Sequence, residues 1–423
     1  MTTRHARIAL LVAAVVVVAA CGSGTGAAGS GGSGSGGPGS GGSGSSSSPT
    51  ATGPLWGPPG TGAIPANYQR LLQSTLDRWV DIGKLAGATA AVVTPAGVWA
   101  GAAGVDGAKV PLQPDSAMWI ASTSKTFTAA EVMLLASRGL VDLDAPLSTY
   151  VEAPFDTKGT TVRQALAMRT GFPDYQTKPY QQTIAKDLQR DWTPDEMLAT
   201  MPADAPRVGT AGGTPYYNSI GYVLLGELIA KVSKRSTAAA IRADLLDPAG
   251  LHRTWVQTAE TPTAPLSVGT NTKAAKLVDP AGPYLPSRSV ASFTSTGGGM
   301  AGDAADLARW GYLLYGGQVI NSDLVKHMEA DPQTEPSMGP YALGTTVNAD
   351  SDGTVTVGHP GGGLNWPYTA MMEVWTGSPP VAVVVLTPQP ADFATQLFDL
   401  VVGLHSDIAS LANAPKPTTT PTN

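Results

Sequence analysis

The run Trp119-Ile120-Ala121-Ser122-Thr123-Ser124-Lys125-Thr126-Phe127-Thr128 decides how the chain is read. It opens an apolar segment through Ala129, Ala130, Val132, Met133, Leu134 and Leu135. Gly139 marks its end, so a helix is expected here. Ser122 and Lys125 lie three residues apart, which places both side chains on one helical face. In the first turn, unsatisfied N–H groups and the helix dipole favour an oxygen that develops negative charge. A serine there, with a lysine one turn on, is the smallest apparatus of a Ser-Lys hydrolase. Such a pair arises by chance about once in every chain or two of this length. The rest of the sequence must therefore support it.

The 423 residues carry a formal net charge of -6, which argues against a nucleic-acid partner and against a polybasic membrane patch. Cys21 is the one cysteine, so neither an intramolecular disulfide nor a cysteine metal cluster can form. The five histidines are scattered and no H-E-x-x-H helix is present. No metal or cofactor is expected.

Residues 1–20 read as an export signal: Arg4, His5 and Arg7 precede an apolar run, Ile8 to Ala20, that is too short to cross a bilayer. Val18-Ala19-Ala20-Cys21 resembles a bacterial lipobox, which implies lipidation of Cys21 and an extracytoplasmic protein anchored to the cell membrane. An ordinary signal peptide with an unrelated cysteine, or an uncleaved anchor, is the competing reading. Residues 21–60 are almost all Gly, Ser, Thr, Ala and Pro, a composition that cannot offset its own ordering entropy. They are expected to form a linker with a reach of roughly 35 Å. Residues 412–423 read as a disordered tail.

Residues 61–411 form the expected globular domain. A helix is read over Ala66 to Lys84, and strands over Gly87 to Thr94 and Val98 to Gly104. From Ala145 to Ala249 the pattern is mostly helical, with helices at Ser219 to Val232 and Ser236 to Leu246 and a capping box at Thr193 to Glu196. Asp303 caps another helix, stopped by Gly316-Gly317. Strands return at Tyr341 to Val347, Thr354 to Gly358, Thr369 to Trp375 and Val381 to Thr387, before a last helix over Asp392 to Ala409. Strands at both ends with helices between them predict an α/β (α+β) fold: one sheet built from N- and C-terminal segments, flanked by helices, with an all-helical insertion.

Two further clusters bear on Ser122. In Tyr216-Tyr217-Asn218-Ser219, Tyr216 and Asn218 are two apart on a loop entering a helix and can point to one side. Tyr216 offers a phenol that acts as a base if a cation lowers its pKa from about 10. Asn218 offers an amide for a substrate carbonyl or the lysine head, and it also suits a helix cap. The second cluster, Gly358-His359-Pro360-Gly361-Gly362-Gly363, ends a strand with glycines that let backbone N–H groups approach a ligand.

The order S-x-x-K, Y-x-N, H-x-G resembles the serine β-lactamase/penicillin-binding-protein family, with its class C β-lactamases, D-alanyl-D-alanine carboxypeptidases and esterases. Landmarks at Gly139 to Pro146, Thr161 to Leu166 and Thr296 to Met300 extend the resemblance over the whole globular part. It implies a β-lactamase/transpeptidase-like antiparallel sheet. It also implies that Ser122 forms an acyl-enzyme, with Lys125 and Tyr216 sharing proton transfer. Lys125 is then either neutral through desolvation or charged and acting on Tyr216. Asn218, His359, Gly361 and Gly362 become substrate-binding, with the N–H groups of Ser122 and Gly362 as the oxyanion hole.

Three departures qualify the likeness. His359 stands where many relatives have lysine, Pro360 removes a hydroxyl donor used on substrate carboxylates, and Met168-Arg169-Thr170-Gly171 replaces a usual His-Thr-Ser-Gly. The expected activity is hydrolysis of amide or ester bonds in a small-molecule or peptide substrate (a D-peptide, a β-lactam or an ester), first of all as a D-alanyl-D-alanine carboxypeptidase/esterase-like or weak β-lactamase-like enzyme of the cell envelope. A catalytically weak penicillin-binding-like protein that organises the envelope is the alternative.

Overall fold

A computed structural model describes residues 53–175, 178–201, 207–351 and 353–412. The expected export signal, Cys21, most of the expected linker and the expected tail from residue 413 lie outside the described residues. Eleven strands are formed among those described: β1 (Gly87–Thr94), β2 (Gly97–Gly104), β3 (Met118–Trp119), β4 (Thr254–Val256), β5 (Met300–Gly302), β6 (Gln333–Glu335), β7 (Gly339–Tyr341), β8 (Thr346–Ala349), β9 (Val355–Gly362), β10 (Thr369–Trp375) and β11 (Val381–Thr387). The main sheet has the order β2-β1-β11-β10-β9-β8-β7-β6, antiparallel throughout. The N-terminal hairpin and the C-terminal strands therefore share one sheet, joined where Ala90 faces Val385 across β1 and β11.

Strand periodicity sorts the two faces. Ala88, Ala90 and Val92 of β1 and Val381, Val383 and Val385 of β11 point to one side. There they meet Leu72 and Leu76 of the helix Ala66–Ile82 and Leu400, Val401 and Leu404 of the helix Phe398–Ala412. The alternate residues Ala91, Val93, Ala382, Val384 and Leu386 enter the larger core on the other side. The helix Ala304–Tyr315 packs there, capped as expected by Asp303, whose carboxylate accepts the Asp306 N–H. Because both faces are covered, β1, β10 and β11 are buried along their whole length.

The chain between the two halves of the sheet supplies helices that include Lys125–Ser137, Val162–Leu166, Pro194–Leu198 and Ile220–Ser233. The short strands β3, β5 and β4 form a separate small sheet beside them. At two or three residues each they are too brief to give a period in the sequence. The strand expected over Tyr341 to Val347 is two strands, β7 and β8, because the chain reverses between Tyr341 and Thr346.

The linker ends earlier than its composition implies. Leu55 N–H donates to Gly316 O at 2.9 Å, Trp56 packs edge-on against Tyr312 at 5.8 Å, and Gly60 N–H donates to Thr94 O at 3.0 Å. One tryptophan gives an otherwise Gly/Pro-rich stretch enough apolar surface to dock. At the other end the last helix runs to Ala412, one residue into the expected tail.

Candidate active site

The site begins at an unusual backbone turn. Ala121 adopts a left-handed φ of 46°, uncommon for a residue with a side chain. It turns the chain from β3 into a tight helical turn, Ala121–Ser124, which continues as the helix Lys125–Ser137. Ser122 thus stands at the start of a helix, where the sequence places it. Thr123 Oγ1 donates to His359 O at 3.1 Å and locks this turn against β9.

Lys125 is fully buried. Its Nζ lies 3.1 Å from Ser122 Oγ, 3.3 Å from Ser219 Oγ and 2.6 Å from Gly297 O. Burial lowers its pKa from 10.5 to about 7, opposed by the nearby carboxylate of Asp174. A neutral amine fits the partners: it donates to the Gly297 carbonyl and to Ser219, and its lone pair is left for the Ser122 hydroxyl proton. The rings of Tyr217 and Tyr222 lie 5.0 and 5.4 Å from Nζ.

The tyrosine at Ser122 is Tyr217, not Tyr216. Tyr217 is hydrogen-bonded to Ser122, and burial holds its phenol well above the ordinary value, so it stays protonated. Tyr216 is 41% exposed and does not line the cleft. Neighbouring residues on an extended loop point to opposite sides, so one tyrosine faces in and the other out. The facing choice is enforced from three directions. Glu335 accepts the Tyr217 N–H at 3.0 Å, Asp174 accepts the Ser219 N–H at 3.1 Å, and Arg169 donates to the Gly212 and Gly213 carbonyls. Arg169 thereby ties together the loops bearing Asp174 and Tyr217.

The same register moves Asn218 out of the cleft. Its Nδ2 donates to Thr170 Oγ1 and Tyr216 O, and its Oδ1 accepts the Gly221 N–H at 3.1 Å. It is the helix cap, and Ser219 takes the place beside the lysine that Asn218 was expected to fill.

His359 is also displaced from its expected role. It is buried behind Tyr217, with Nδ1 donating to Pro360 O at 2.5 Å and Nε2 accepting from Tyr341 Oη at 3.1 Å. Burial and the nearby Lys125 hold its pKa down at about 3, so the ring is neutral. It does not line the cleft.

Gly361 and Gly362 carry the edge of β9 past the serine turn. A side chain at Gly361 would begin 2.2 Å from Ile120 O and 3.1 Å from Ser122 N, so only glycine allows this approach. Gly362 lines the cleft opposite Ser122.

The cleft encloses about 120 Å³. Ser122, Tyr217 and Gly362 line it together with Trp119, Trp366 and Asp174. Asp174, Tyr217, Ser219 and the Gly297 carbonyl were not singled out from sequence as site groups. The one signal available was the pair of adjacent tyrosines, which permits a second register, Tyr217-x-Ser219.

Fold and cleft together define the class: a serine-hydrolase framework in which a lysine, rather than a histidine, stands against the serine. The chain belongs to the Beta-lactamase family, whose family model matches residues 72–401. It is 29% identical over 148 residues to Penicillin-binding protein 4* of Bacillus subtilis (strain 168), a match covering 35% of this chain and 32% of that protein. The chain thus aligns with about a third of that relative's length. Among solved structures, D-amino acid amidase from Ochrobactrum anthropi SV3, complexed with L-phenylalanine amide, superposes with a TM-score of 0.70 at 22% identity, covering 82% of this chain and 99% of that one. A D-stereospecific amidohydrolase from Streptomyces sp. gives 0.64 at 23% identity, covering 80% and 97%. At these identities the two structures establish the shared fold.

Proposed function

We propose that this protein is a serine hydrolase that cleaves amide or ester bonds through an acyl-enzyme on Ser122. The observation that carries the reading is a fully buried Lys125, with its pKa near 7, 3.1 Å from Ser122 Oγ. Neutral Nζ takes the hydroxyl proton as Oγ attacks the substrate carbonyl. The N–H groups of Ser122 and Gly362 receive the developing oxyanion, a contribution of roughly 10²- to 10³-fold per donor. The C–N or C–O bond breaks, and Tyr217 and Lys125 deliver the proton to the leaving group. Water then cleaves the ester on Ser122 and restores the hydroxyl.

A carboxypeptidase role on carboxylate-terminated D-peptides is the less favoured form of this reading. The third motif offers no cation, since His359 is neutral and turned away, and Pro360 offers no donor. Amidase or esterase activity, with weak β-lactam acylation, suits the site better. We also propose that Cys21 is lipidated and tethers the enzyme outside the cytoplasmic membrane, on the strength of the Val18-Ala19-Ala20-Cys21 sequence.

The enzyme and Ser122→Ala should be incubated with a fluorescent penicillin, a nitrophenyl ester and a D-Ala-D-Ala peptide. Turnover or a covalent adduct that depends on Ser122 is expected. Turnover unaffected by Ser122→Ala, or none with any probe, would sink the proposal. Detergent partitioning of Cys21→Ala tests the anchor: release from the membrane fraction is expected, and unchanged retention refutes lipidation.

A further inference from the structure

The space beside Ser122 is small, and one indole is placed to set its limit. The cleft encloses about 120 Å³. A cavity of about 150 Å³ holds a single benzene, whereas pockets for drug-sized ligands measure roughly 300–1,000 Å³. About six heavy atoms therefore fill the cleft. Trp366, 8% exposed, and Trp119, 2% exposed, stand in its wall edge-on at 5.3 Å. Trp119 lies on β3, and its Nε1 donates to Gly298 O.

Trp366 closes the turn after β9, its N–H donating to Gly363 O at 3.0 Å. Gly362 and Gly363, at φ of 80° and 100°, bend the chain from the strand edge into that turn, a conformation that suits glycine. Leu364 at the tip is 59% exposed, so the turn sends one large apolar side chain out and the other into the cleft wall. The residues flanking Trp366 are pinned by segments distant in sequence. Asn365 O accepts from Gln181 Nε2 at 3.4 Å, Pro367 O accepts the Thr270 N–H at 3.3 Å, and the Tyr368 hydroxyl donates to Ser267 O at 2.6 Å. The wall is thus braced on both sides of the indole.

Resting on the acyl-enzyme reading above, we infer that Trp366 is a specificity-determining residue that fixes the length of acyl group the enzyme accepts. Once the leaving group departs, the acyl chain stays on Ser122 Oγ and must fit beside the two indoles. Beyond the carbonyl carbon and oxygen, an unbranched chain of about three or four carbons then fits. The substrate class is esters and amides of short, apolar acyl chains. Fused β-lactams, whose ring atoms stay attached to the acyl carbon, are disfavoured for the same reason.

p-Nitrophenyl acetate, butyrate, hexanoate and octanoate are neutral esters that differ only in the acyl chain. They are assayed with the wild type, Ser122→Ala, Trp366→Ala and Trp366→Leu. In the wild type, kcat/KM should be greatest for acetate or butyrate and at least about 100-fold lower for octanoate, since a single methylene in an apolar pocket is worth roughly 10- to 200-fold. Trp366→Ala should bring octanoate to within about fivefold of butyrate. The ratio between chain lengths is the readout, because a loosened fold lowers all four esters together. Trp366→Leu keeps an apolar side chain against Trp119 and should shift the ratio the same way by less, which serves if the alanine variant does not fold. If the wild type hydrolyses all four equally well, or neither variant changes the ratio, the inference falls, while Ser122-dependent turnover leaves the acyl-enzyme reading standing. If no ester turns over in a Ser122-dependent way, the acyl-enzyme reading itself falls.

Discussion

Nζ of Lys125 and Oγ of Ser122 are 3.1 Å apart, and the lysine has no exposed surface. Burial of this kind disfavours the ammonium form, and here it converts a residue that is ordinarily an acid at neutral pH into a base. Without the sheet behind it and the helix Ile220–Ser233 beside it, the same S-x-x-K would carry a charged lysine and an unactivated serine.

The pH profile should follow from this. Activity needs Lys125 deprotonated, so kcat/KM should rise with pH through an apparent pKa of about 7 and fall away below it. Asp174 raises that pKa, so Asp174→Asn should move the acid limb to lower pH. Lys125→Arg, which cannot deprotonate, should lose about 10²- to 10⁴-fold. Initial rates with the neutral ester between pH 5 and 9 would check all three, and a flat profile would contradict the assignment.

The two adjacent tyrosines should behave differently. Tyr217→Phe removes the hydroxyl bonded to Ser122 and should lower kcat by about 10²-fold or more. Tyr216→Phe alters an exposed ring and should leave kcat within about threefold of wild type. Equal effects in the two variants would mean that the register is misassigned.

Gly361→Ala should be damaging although alanine is small. Its Cβ would begin 2.2 Å from Ile120 O, so either β9 or the serine turn must move. A displacement of about 1 Å at a reaction centre costs on the order of 10²-fold. Activity should be lost while the melting temperature changes little, and normal turnover would show that β9 and the serine turn are not so close.

The core carries a separate pH dependence. Glu373 on β10 is buried, its Oε2 has no hydrogen-bond partner among the described residues, and burial raises its pKa from 4.5 to about 8. The folded protein therefore holds a proton that the unfolded chain has already released above pH 4.5. Stability due to this group is greatest in acid and is lost as pH rises to about 8. Glu373→Gln should flatten that trend, and its gain over wild type should be on the order of 1–4 kcal/mol larger at pH 9 than at pH 5. Thermal melts of both proteins across that range provide the check, and parallel curves would count against it.

The local sequence determined the elements whose causes are local. Helical spacing put Ser122 and Lys125 on one face, the β10 and β11 runs gave strands at their observed bounds, and the Thr193 capping box and Asp303 cap are present as expected. At Gly361 the missing side chain, expected to admit a ligand, lets β9 pass close to the serine turn. Tertiary structure decided the rest. Which of Tyr216 and Tyr217 faces in depends on Glu335, Asp174 and Arg169, which are distant in sequence and pull on neighbouring backbone groups. The lowered pKa of Lys125 and the neutrality of His359 come chiefly from desolvation by the assembled core, and no spacing along the chain encodes them. The Gly297 carbonyl reaches Lys125 across 172 positions of sequence, a contact that exists only once the fold has closed. Asp174 likewise takes its place only in the fold: on its loop it is an ordinary acidic residue, and the closed cleft sets it in one wall with Ser122 and two indoles.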